Sequence, residues 1–182
     1  MNRTKKLTIC VIAAIAIFLL IIGIHHVLKL KKGQLFESYV FEGSRLKIKV
    51  KARHEESFLL FVPGAYYGYE SKTNDEDAWR PMFTFQFDDP LEIPKEQIKE
   101  INEHVIYAFI GWIYSVTTDS GKTWDIWDGT ERQGKWPNYN GGFIEQIELD
   151  PSGKGTMYLF DKTGFLFPAY TNDFGKSWHI EK

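Results

Sequence analysis

The sequence predicts a mainly β protein built of antiparallel hairpin units, with one short helix and with a single N-terminal transmembrane helix ahead of the β-rich part. The first observation is a short phrase, S/T-x-D-x-G-x-S/T-W, that occurs at 117–124 and again at 171–178. We call these segments box 1 and box 2. The second is that the chain from Gly33 onward is rich in Trp, Tyr and Phe, which favour strands. The third is an uncharged apolar run, Leu7–Ile24.

The N-terminal run is expected to be an uncleaved signal anchor. Extended by His25–Leu28, it is long enough to cross a hydrocarbon core of about 30 Å. No small-x-small cleavage site follows before Gly33, and Ile9 before Cys10 does not fit a lipoprotein signal. Three basic residues flank each end of the run, so the orientation is taken from the short positive N-terminus, which usually stays in the cytoplasm. We therefore expect a cytoplasmic N-terminus (1–6), an anchor (7–28), a linker (29–40) and one exported β-rich domain (41–182).

Charge and cysteine usage restrict what the exported part does. The segment 1–32 holds six basic and no acidic groups, which leaves 16 basic and 24 acidic groups, a net charge of −8, for the segment 33–182. Such a domain is unsuited to nucleic acid or to anionic lipid, and it suits a basic protein partner. The single cysteine, Cys10, lies in the anchor, so no disulfide or thiolate site is expected outside it. The expected location is a bacterial inner membrane, crossed once, with the domain in the periplasm.

The sequence of the first half of the domain predicts strands followed by the one helix. Residues 44–51 alternate apolar and lysine side chains, and Phe58–Val62 is an apolar run that ends at a Pro63-Gly64 turn. A polar loop at 71–77 precedes a strand at 81–87. Pro94 suits a first helical turn, and the apolar residues that follow recur at three- and four-residue spacing, so a helix is expected over 94–104.

The second half reads as hairpins. Strands are expected at 105–118, with a break at Gly111, and at 124–127, 143–149, 156–160 and 165–170. The last of these leads into box 2, so strand, turn, strand, turn, strand, box and strand form a four-stranded antiparallel unit.

Each box position has a role in a tight turn. Asp119 and Asp173 can accept hydrogen bonds from backbone N–H groups that follow them. The glycines supply positive φ, and each Trp resumes the strand and folds its ring over the turn. Val116 and Tyr170 stand where a phosphate-binding loop needs its first glycine, which excludes that motif. The residues with these structural roles are Thr117, Asp119, Gly121, Trp124, Thr171, Asp173, Gly175 and Trp178.

The two boxes resemble the Asp-box of sialidase-type (BNR) repeat proteins, in which the phrase forms a hairpin turn at the rim of a sheet. The resemblance covers residues 105–182 and implies units of propeller-blade type. Two units are too few to close a propeller, which needs roughly four to eight blades, so an incomplete propeller or a sandwich-like arrangement is expected. Open sheet edges would then invite a partner strand.

No catalytic set accompanies these motifs, so enzymatic activity is not expected. Sialidases hold the substrate carboxylate with three arginines and use a tyrosine nucleophile. Here the segment 33–182 offers Arg45, Arg53, Arg80 and Arg132 without a recognisable motif. The acidic runs at 75–77 and 88–89 lack the spacing of a calcium loop, and the histidines of the domain are isolated. We expect no metal and no cofactor.

Two aromatic loops are the candidate partner-binding segments. The first, 63–69, carries Tyr66, Tyr67 and Tyr69, and the second, 134–142, carries Trp136 and Tyr139. Tyr and Trp on loops are typical of interface anchors, and the alternative is that these rings pack beneath the sheets.

The combination favours a membrane-tethered periplasmic domain that binds another protein. Small, anchored, acidic β-domains without a catalytic motif resemble the immunity partners of type VI secretion effectors, which implies a basic toxin as partner. The alternative function is recognition of an envelope glycan, or an assembly factor that uses the same loops.

Overall fold

The structure is a computed structural model that describes residues 3–31, 33–56, 63–73, 77–88, 90–132, 135–136, 142–161 and 164–180. It begins with helix α1, Arg3–Lys31, whose side chains are described at 12–24, 26 and 27. No described helical segment is both long enough and apolar enough to cross a membrane. The chain divides into two compact units. The first comprises Met1–Phe36, Ala52–Tyr66 and Gln86–Leu91, and the second comprises Glu37–Lys51, Tyr67–Phe85 and Glu92–Lys182. Residues of the expected domain 41–182 contribute to both.

The described residues form eleven strands in three antiparallel sheets, which confirms the mainly β prediction. Sheet 1 has the order β1-β2-β3-β4, with β1 Leu35–Glu42, β2 Lys47–Glu56, β3 Pro63–Lys72 and β4 Arg80–Phe87. Sheet 2 has the order β5-β6-β7-β8, with β5 Ile98–Asn102, β6 Val105–Ile110, β7 Ile113–Thr117 and β8 Asp125–Asp128. Sheet 3 has the order β11-β10-β9, with β9 Gly142–Leu149, β10 Gly155–Asp161 and β11 Leu166–Thr171.

Sheets 2 and 3 share one apolar core, which lies in the second unit. Tyr107 and Tyr114 of sheet 2 and Met157 and Leu159 of sheet 3 are fully buried there, and Trp178 joins them. The Trp178 and Tyr114 rings meet edge to face, with centroids 5.6 Å apart and planes at 87°. Full burial of one such side chain is worth roughly 1.5–3 kcal/mol, so this core is the main stabilising element of the hairpin region.

The opposite face of sheet 2 is covered at β6 as well. Every residue of β6 is buried, although alternate residues of a strand point to opposite faces. A Cβ added to Gly43 would lie 3.0 Å from Ile106 Cδ1, and one added to Gly111 would overlap the ring of Phe85. Sheet 2 therefore lies between sheet 3 and residues of the same unit from the first half of the chain.

The predicted helix over 94–104 is wrong. A single 3₁₀ turn, Lys95–Gln97, follows Pro94, and β5 begins at Ile98. The apolar spacing fits a helix, but β6 is a buried strand that needs a backbone partner on this side, and β5 pairs with it from Ile98↔Ala108 onward. Long-range pairing thus overrides the local pattern, and sheet 2, which contains box 1 between β7 and β8, has four strands.

Other expected elements differ from the structure in their bounds. The strand expected at 44–51 runs from Lys47 to Glu56, and β1 occupies the second half of the segment 29–40 that was expected to be a linker. Pro63-Gly64 does not turn, since both residues begin β3. The strand expected at 58–62 lies outside the described residues. The strands expected at 81–87, 105–118, 124–127, 143–149, 156–160 and 165–170 are present. The four-stranded unit expected around box 2 is wrong, because sheet 3 has three strands and the described residues after the box form only an isolated bridge, Tyr170↔His179.

Candidate functional site

Box 1 is a turn closed by its own side chains. Thr117 Oγ1 accepts hydrogen bonds from the N–H groups of Asp119 (3.3 Å) and Gly121 (2.8 Å), and its hydroxyl donates to Asp119 Oδ1 at 2.8 Å. The Asp119 carboxylate also accepts from Thr123, from the N–H at 2.9 Å and from the hydroxyl at 2.7 Å. Ser120 and Gly121 have φ of 59° and 84°, so the predicted positive φ is confirmed at the glycine and is also present one residue earlier.

Box 2 repeats this network atom for atom. Thr171 Oγ1 accepts from the N–H groups of Asp173 (3.2 Å) and Gly175 (2.9 Å), and its hydroxyl donates to Asp173 Oδ1 at 2.7 Å. Asp173 accepts from the Ser177 N–H at 3.0 Å and from the Ser177 hydroxyl at 2.6 Å. The predicted turn role of both aspartates is therefore confirmed, and their oxygens are occupied within the turns.

Each box also contacts the turn between the first two strands of its own sheet. The Ser120 N–H donates to the His104 carbonyl at 3.1 Å, and the Phe174 N–H donates to the Gly153 carbonyl at 2.9 Å. Both of these turns are closed by a side-chain oxygen, from Asn102 in sheet 2 and from Asp150 in sheet 3. The internal repeat is thus larger than the phrase itself, because it includes the turn against which the phrase packs.

The hydrogen bonds change the acidity of the box carboxylates. Partial burial would raise the pKa of Asp119, but the Thr123 and Thr117 hydrogen bonds outweigh it and lower the pKa to about 2. The pKa of Asp173 is also lowered, since bonds from Ser177 and Thr171 outweigh the opposing effect of burial. Carboxylates held ionised by a turn are poor proton donors, which agrees with a structural role.

The first aromatic segment is not a loop, and the prediction that its tyrosines lie on a flexible turn is wrong. Tyr66, Tyr67 and Tyr69 all lie on β3, where Tyr67 and Tyr69 are buried and Tyr66 is half-buried. The Tyr69 ring stacks on Phe83, with centroids 4.3 Å apart, and burial raises its pKa. Alternation along the strand carries two of the three rings into the core, so they are unavailable to a partner.

Of the two aromatic residues in the second segment, the structure describes only one. Trp136 is half-buried and packs on Trp127 and Phe167, with ring centroids 5.8 and 6.3 Å away. It extends the core of sheets 2 and 3, in agreement with the alternative prediction that these rings pack beneath the sheets. Tyr139 lies outside the described residues.

The apolar residues on the outer face of sheet 3 were not predicted as a site from the sequence. Phe160 of β10 pairs with Phe143 of β9 on one side and with Leu166 of β11 on the other, so the three side chains form one cross-strand row. They are 42% (Phe143), 45% (Phe160) and 54% (Leu166) exposed, and the adjacent Phe165 is 72% exposed. A signal was available, because β10 has apolar side chains at both inward (Met157, Leu159) and outward (Tyr158, Phe160) positions, a pattern typical of strands covered on both faces.

A second surface feature is an open groove of about 740 Å³ alongside β5 and β9. Apolar side chains of Ile101, Ile147 and Leu149 contribute to its lining. Its polar lining includes Lys99, Gln146, Asp150, Lys154, Thr156 and Asn172. The groove combines a partly apolar lining with hydrogen-bond donors and acceptors of both charges, which is the composition of a site for a polar ligand.

Among the described residues no group of three or more His, Cys, Asp or Glu side chains is placed to hold a metal ion. No protein-family model, curated protein or solved structure matches this chain.

Proposed function

We propose that this protein is a membrane-tethered, protein-binding domain of the bacterial periplasm, and that it is an immunity or inhibitor protein that neutralises a secreted interbacterial effector. The observation that carries the proposal is the exposed apolar row of sheet 3, Phe143, Phe160 and Leu166, with Phe165 beside it. Contiguous exposed apolar side chains on a soluble domain mark interaction surfaces. The tether is inferred from the uncharged run Leu7–Ile24.

The internal repeat supports this interpretation of the exposed row. On the outer face of sheet 2 the residues of β6 are buried, as Ile106, Ala108 and Ile110 show, whereas Ile126 of the edge strand β8 is 53% exposed. The apolar row of sheet 3 keeps close to half of its side-chain surface exposed in the part of the chain that the structure describes, although the Trp112 ring stacks on Phe143 at one end of the row. Two related sheets thus differ in how far their outer face is covered. A partner protein would cover the outer face of sheet 3, as residues of the chain itself cover β6 on the outer face of sheet 2.

The test begins with the neighbouring genes: we expect one of them to encode a secreted effector, and the full chain should protect cells from it. The full chain should restore growth to cells that export the effector, and benzoylphenylalanine at position 165 should crosslink to it on irradiation. A double variant, Phe160→Ser with Leu166→Ser, should lose protection, since two apolar contacts worth roughly 1.5–3 kcal/mol each are removed. Ile126→Ser is the matched control, because Ile126 is also a strand residue and is 53% exposed. Protection that survives the double variant would contradict the proposal.

The groove supports a second candidate function, recognition of an envelope glycan. Its hydrogen-bonding side chains, Gln146, Asp150 and Asn172 among them, could hold sugar hydroxyl groups. If position 165 yields no protein adduct and the full chain instead gives a glycan-array signal that Asn172→Ala abolishes, this function replaces the first.

A further inference from the structure

Strand β9 has one edge that pairs with no other strand in the described part of the chain. Sheet 3 has the order β11-β10-β9, so β10 occupies only one edge of β9. The open groove follows the other edge, because five consecutive residues, 146–150, line it although successive side chains of a strand point to opposite faces. We infer that this groove binds an extended peptide segment of the partner protein, which adds to β9 as a further strand. The inference rests on the proposed function and adds a second contact to the apolar row.

Backbone groups of β9 point toward this unpaired edge. The Ile147 carbonyl accepts a hydrogen bond from the Tyr107 hydroxyl of sheet 2 at 3.2 Å, so it is directed away from β10. The Asp150 N–H donates to the Lys154 carbonyl at 2.9 Å, so the backbone groups of the preceding residue, Leu149, also point away from β10. Among the described residues, the Ile147 N–H, the Leu149 N–H and the Leu149 carbonyl have no hydrogen-bond partner. An added strand would satisfy these three groups.

The chain itself already uses one end of this edge. The Ile144 N–H donates to the Gly111 carbonyl at 2.6 Å, so the hairpin tip of sheet 2 supplies one backbone partner. From Gln146 onward the edge runs along the groove instead. A peptide in the groove would therefore continue a set of backbone contacts that Gly111 begins. Two alternate peptide residues opposite Ile147 and Leu149 can form up to about four hydrogen bonds, since the Ile147 carbonyl has a second lone pair.

The other edges of sheets 2 and 3 have features that protect strand edges from pairing. β11 carries Pro168, which has no N–H, and Tyr170 exchanges two backbone hydrogen bonds with His179, at 2.7 and 3.0 Å. β8 has only four residues and begins and ends with aspartate. In β5 the Glu100 carboxylate accepts from the Ser44 N–H at 3.2 and 3.1 Å, so a turn of the same unit lies next to this strand. β9 has eight residues and contains no proline, lysine or arginine.

The lining of the groove favours a peptide that is recognised through its backbone. Ile101 is partly buried and Tyr107 is fully buried, and both give the groove apolar surface on the side of sheet 2. The charged lining residues are two of each sign, Lys99, Lys154, Glu148 and Asp150. In strand addition, backbone hydrogen bonds supply affinity and pockets for alternate side chains supply specificity. We therefore expect an extended segment with an apolar residue at every second position and no required net charge.

Peptides with blocked N–H groups test the inference. The probe is a dye-labelled hexapeptide in which Val and Thr alternate, titrated by fluorescence anisotropy against the full chain in phosphatidylcholine nanodiscs, with empty nanodiscs as the reference. Two further peptides carry backbone N-methyl groups, one on every Val and the other on every Thr. Because the N–H groups of alternate residues point to opposite edges of a strand, only one methylated peptide loses its bonds to β9. The unmodified peptide should bind with a Kd below about 1 mM, and one methylated peptide should bind about tenfold more weakly than the other.

A variant of the chain locates the contact on β9. Leu149→Pro removes an N–H that faces the groove and leaves the hydrogen bonds with β10 in place, so it should weaken the unmodified peptide about tenfold. Ile126→Ser is the matched control, because Ile126 is an exposed strand residue that does not line the groove, and its affinity should stay parental. Circular dichroism checks that both variants fold. The comparison of the two methylated peptides needs no variant, so it decides the question even if Leu149→Pro does not fold.

Three results would overturn the inference: no peptide binding up to about 1 mM, equal affinity of the two methylated peptides, or parental affinity in folded Leu149→Pro. A glycan-array signal without peptide binding would identify a glycan as the occupant of the groove. The outcomes also separate this inference from the proposed function. Protection from the effector without peptide binding would sink only the added strand, while the expected peptide binding without protection would sink only the immunity role.

Discussion

Box 1 and box 2 have the same internal turn and different surroundings. The bond from the glycine N–H to the threonine hydroxyl oxygen measures 2.8 Å in box 1 and 2.9 Å in box 2. The bond that the aspartate accepts from the later hydroxyl measures 2.7 Å in box 1 and 2.6 Å in box 2. Outside the turn, the residues that surround the two boxes differ. The Trp178 ring lies over Gly175, where an added Cβ would be 2.7 Å from Trp178 Cζ2, whereas at Gly121 the neighbour is Leu46, with Cδ1 2.5 Å from an added Cβ.

The two tryptophans end in different environments. Trp178 is buried in the core of sheets 2 and 3, whereas Trp124 is half-buried and donates from Nε1 to Ser71 Oγ at 3.2 Å. The predicted fold of the ring over the turn is therefore seen at Gly175, whereas at Gly121 the nearest side chain is Leu46. The phrase therefore encodes the turn, while the neighbouring sheets determine what its tryptophan stabilises.

The largest expected effect comes from truncating the two tryptophans. Trp178→Ala should lower the free energy of unfolding by about 3–5 kcal/mol, as for other large core rings. Trp124→Ala should cost about 1–2 kcal/mol, since it removes one hydrogen bond and partly buried area. Urea unfolding of the full chain, followed by far-ultraviolet circular dichroism, measures both values. Equal losses would mean that the two rings are equally buried in solution, contrary to the structure.

This difference also shows what could be predicted from the sequence. The box networks were predictable because donor and acceptor lie within four positions of each other, so no distant partner is needed. The strands β6 to β11 were predictable from alternation and turn residues. The destination of Trp124 was not, because Ser71 is 53 residues away in the chain.

The errors share this physical origin. Ile98 and Ile101 follow a helical spacing, yet β6 captures the segment as a strand. Tyr67 and Tyr69 were expected at a surface loop, yet the strand that begins at Pro63 turns them inward. The exposed row of sheet 3 was missed for a related reason, since only the cross-strand register brings its three members together.

A smaller effect is expected from alanine at the two glycines. Both have strongly positive φ, 84° at Gly121 and 81° at Gly175, and an L-residue there costs about 1–2 kcal/mol. Gly121→Ala should cost about that much, because the end of the Leu46 side chain can move to another rotamer. Gly175→Ala should cost at least about 1 kcal/mol more, because the new methyl group meets the rings of Trp178 and Tyr114 in a close-packed core. Thermal unfolding of the two variants, with Gly164→Ala as a positive-φ control that has no atom within 4 Å, separates strain from overlap.

The smallest expected effect is the pH dependence that the two box aspartates confer. Their pKa values are lower in the folded protein than in the unfolded chain, so their contribution to stability is complete above the ordinary Asp pKa of about 4 and is lost as the pH falls through the folded value. For Asp119 that folded pKa is about 2, so the loss falls between about pH 4 and pH 2. Asp119→Asn and Asp173→Asn should each remove about 1 kcal/mol at pH 6 and less at pH 2, because the native carboxylate is itself partly protonated there. Urea unfolding at pH 6, 4, 3 and 2 measures how the difference in free energy of unfolding between each variant and the parent shrinks as the pH falls. Thr123→Val removes one donor to Asp119 and should show a smaller difference with the same pH dependence. If the stability of a variant plotted against pH stays parallel to that of the parent down to pH 2, the hydrogen bonds of the turns do not depend on an ionised aspartate. The equivalence of the two boxes would then depend on backbone geometry alone.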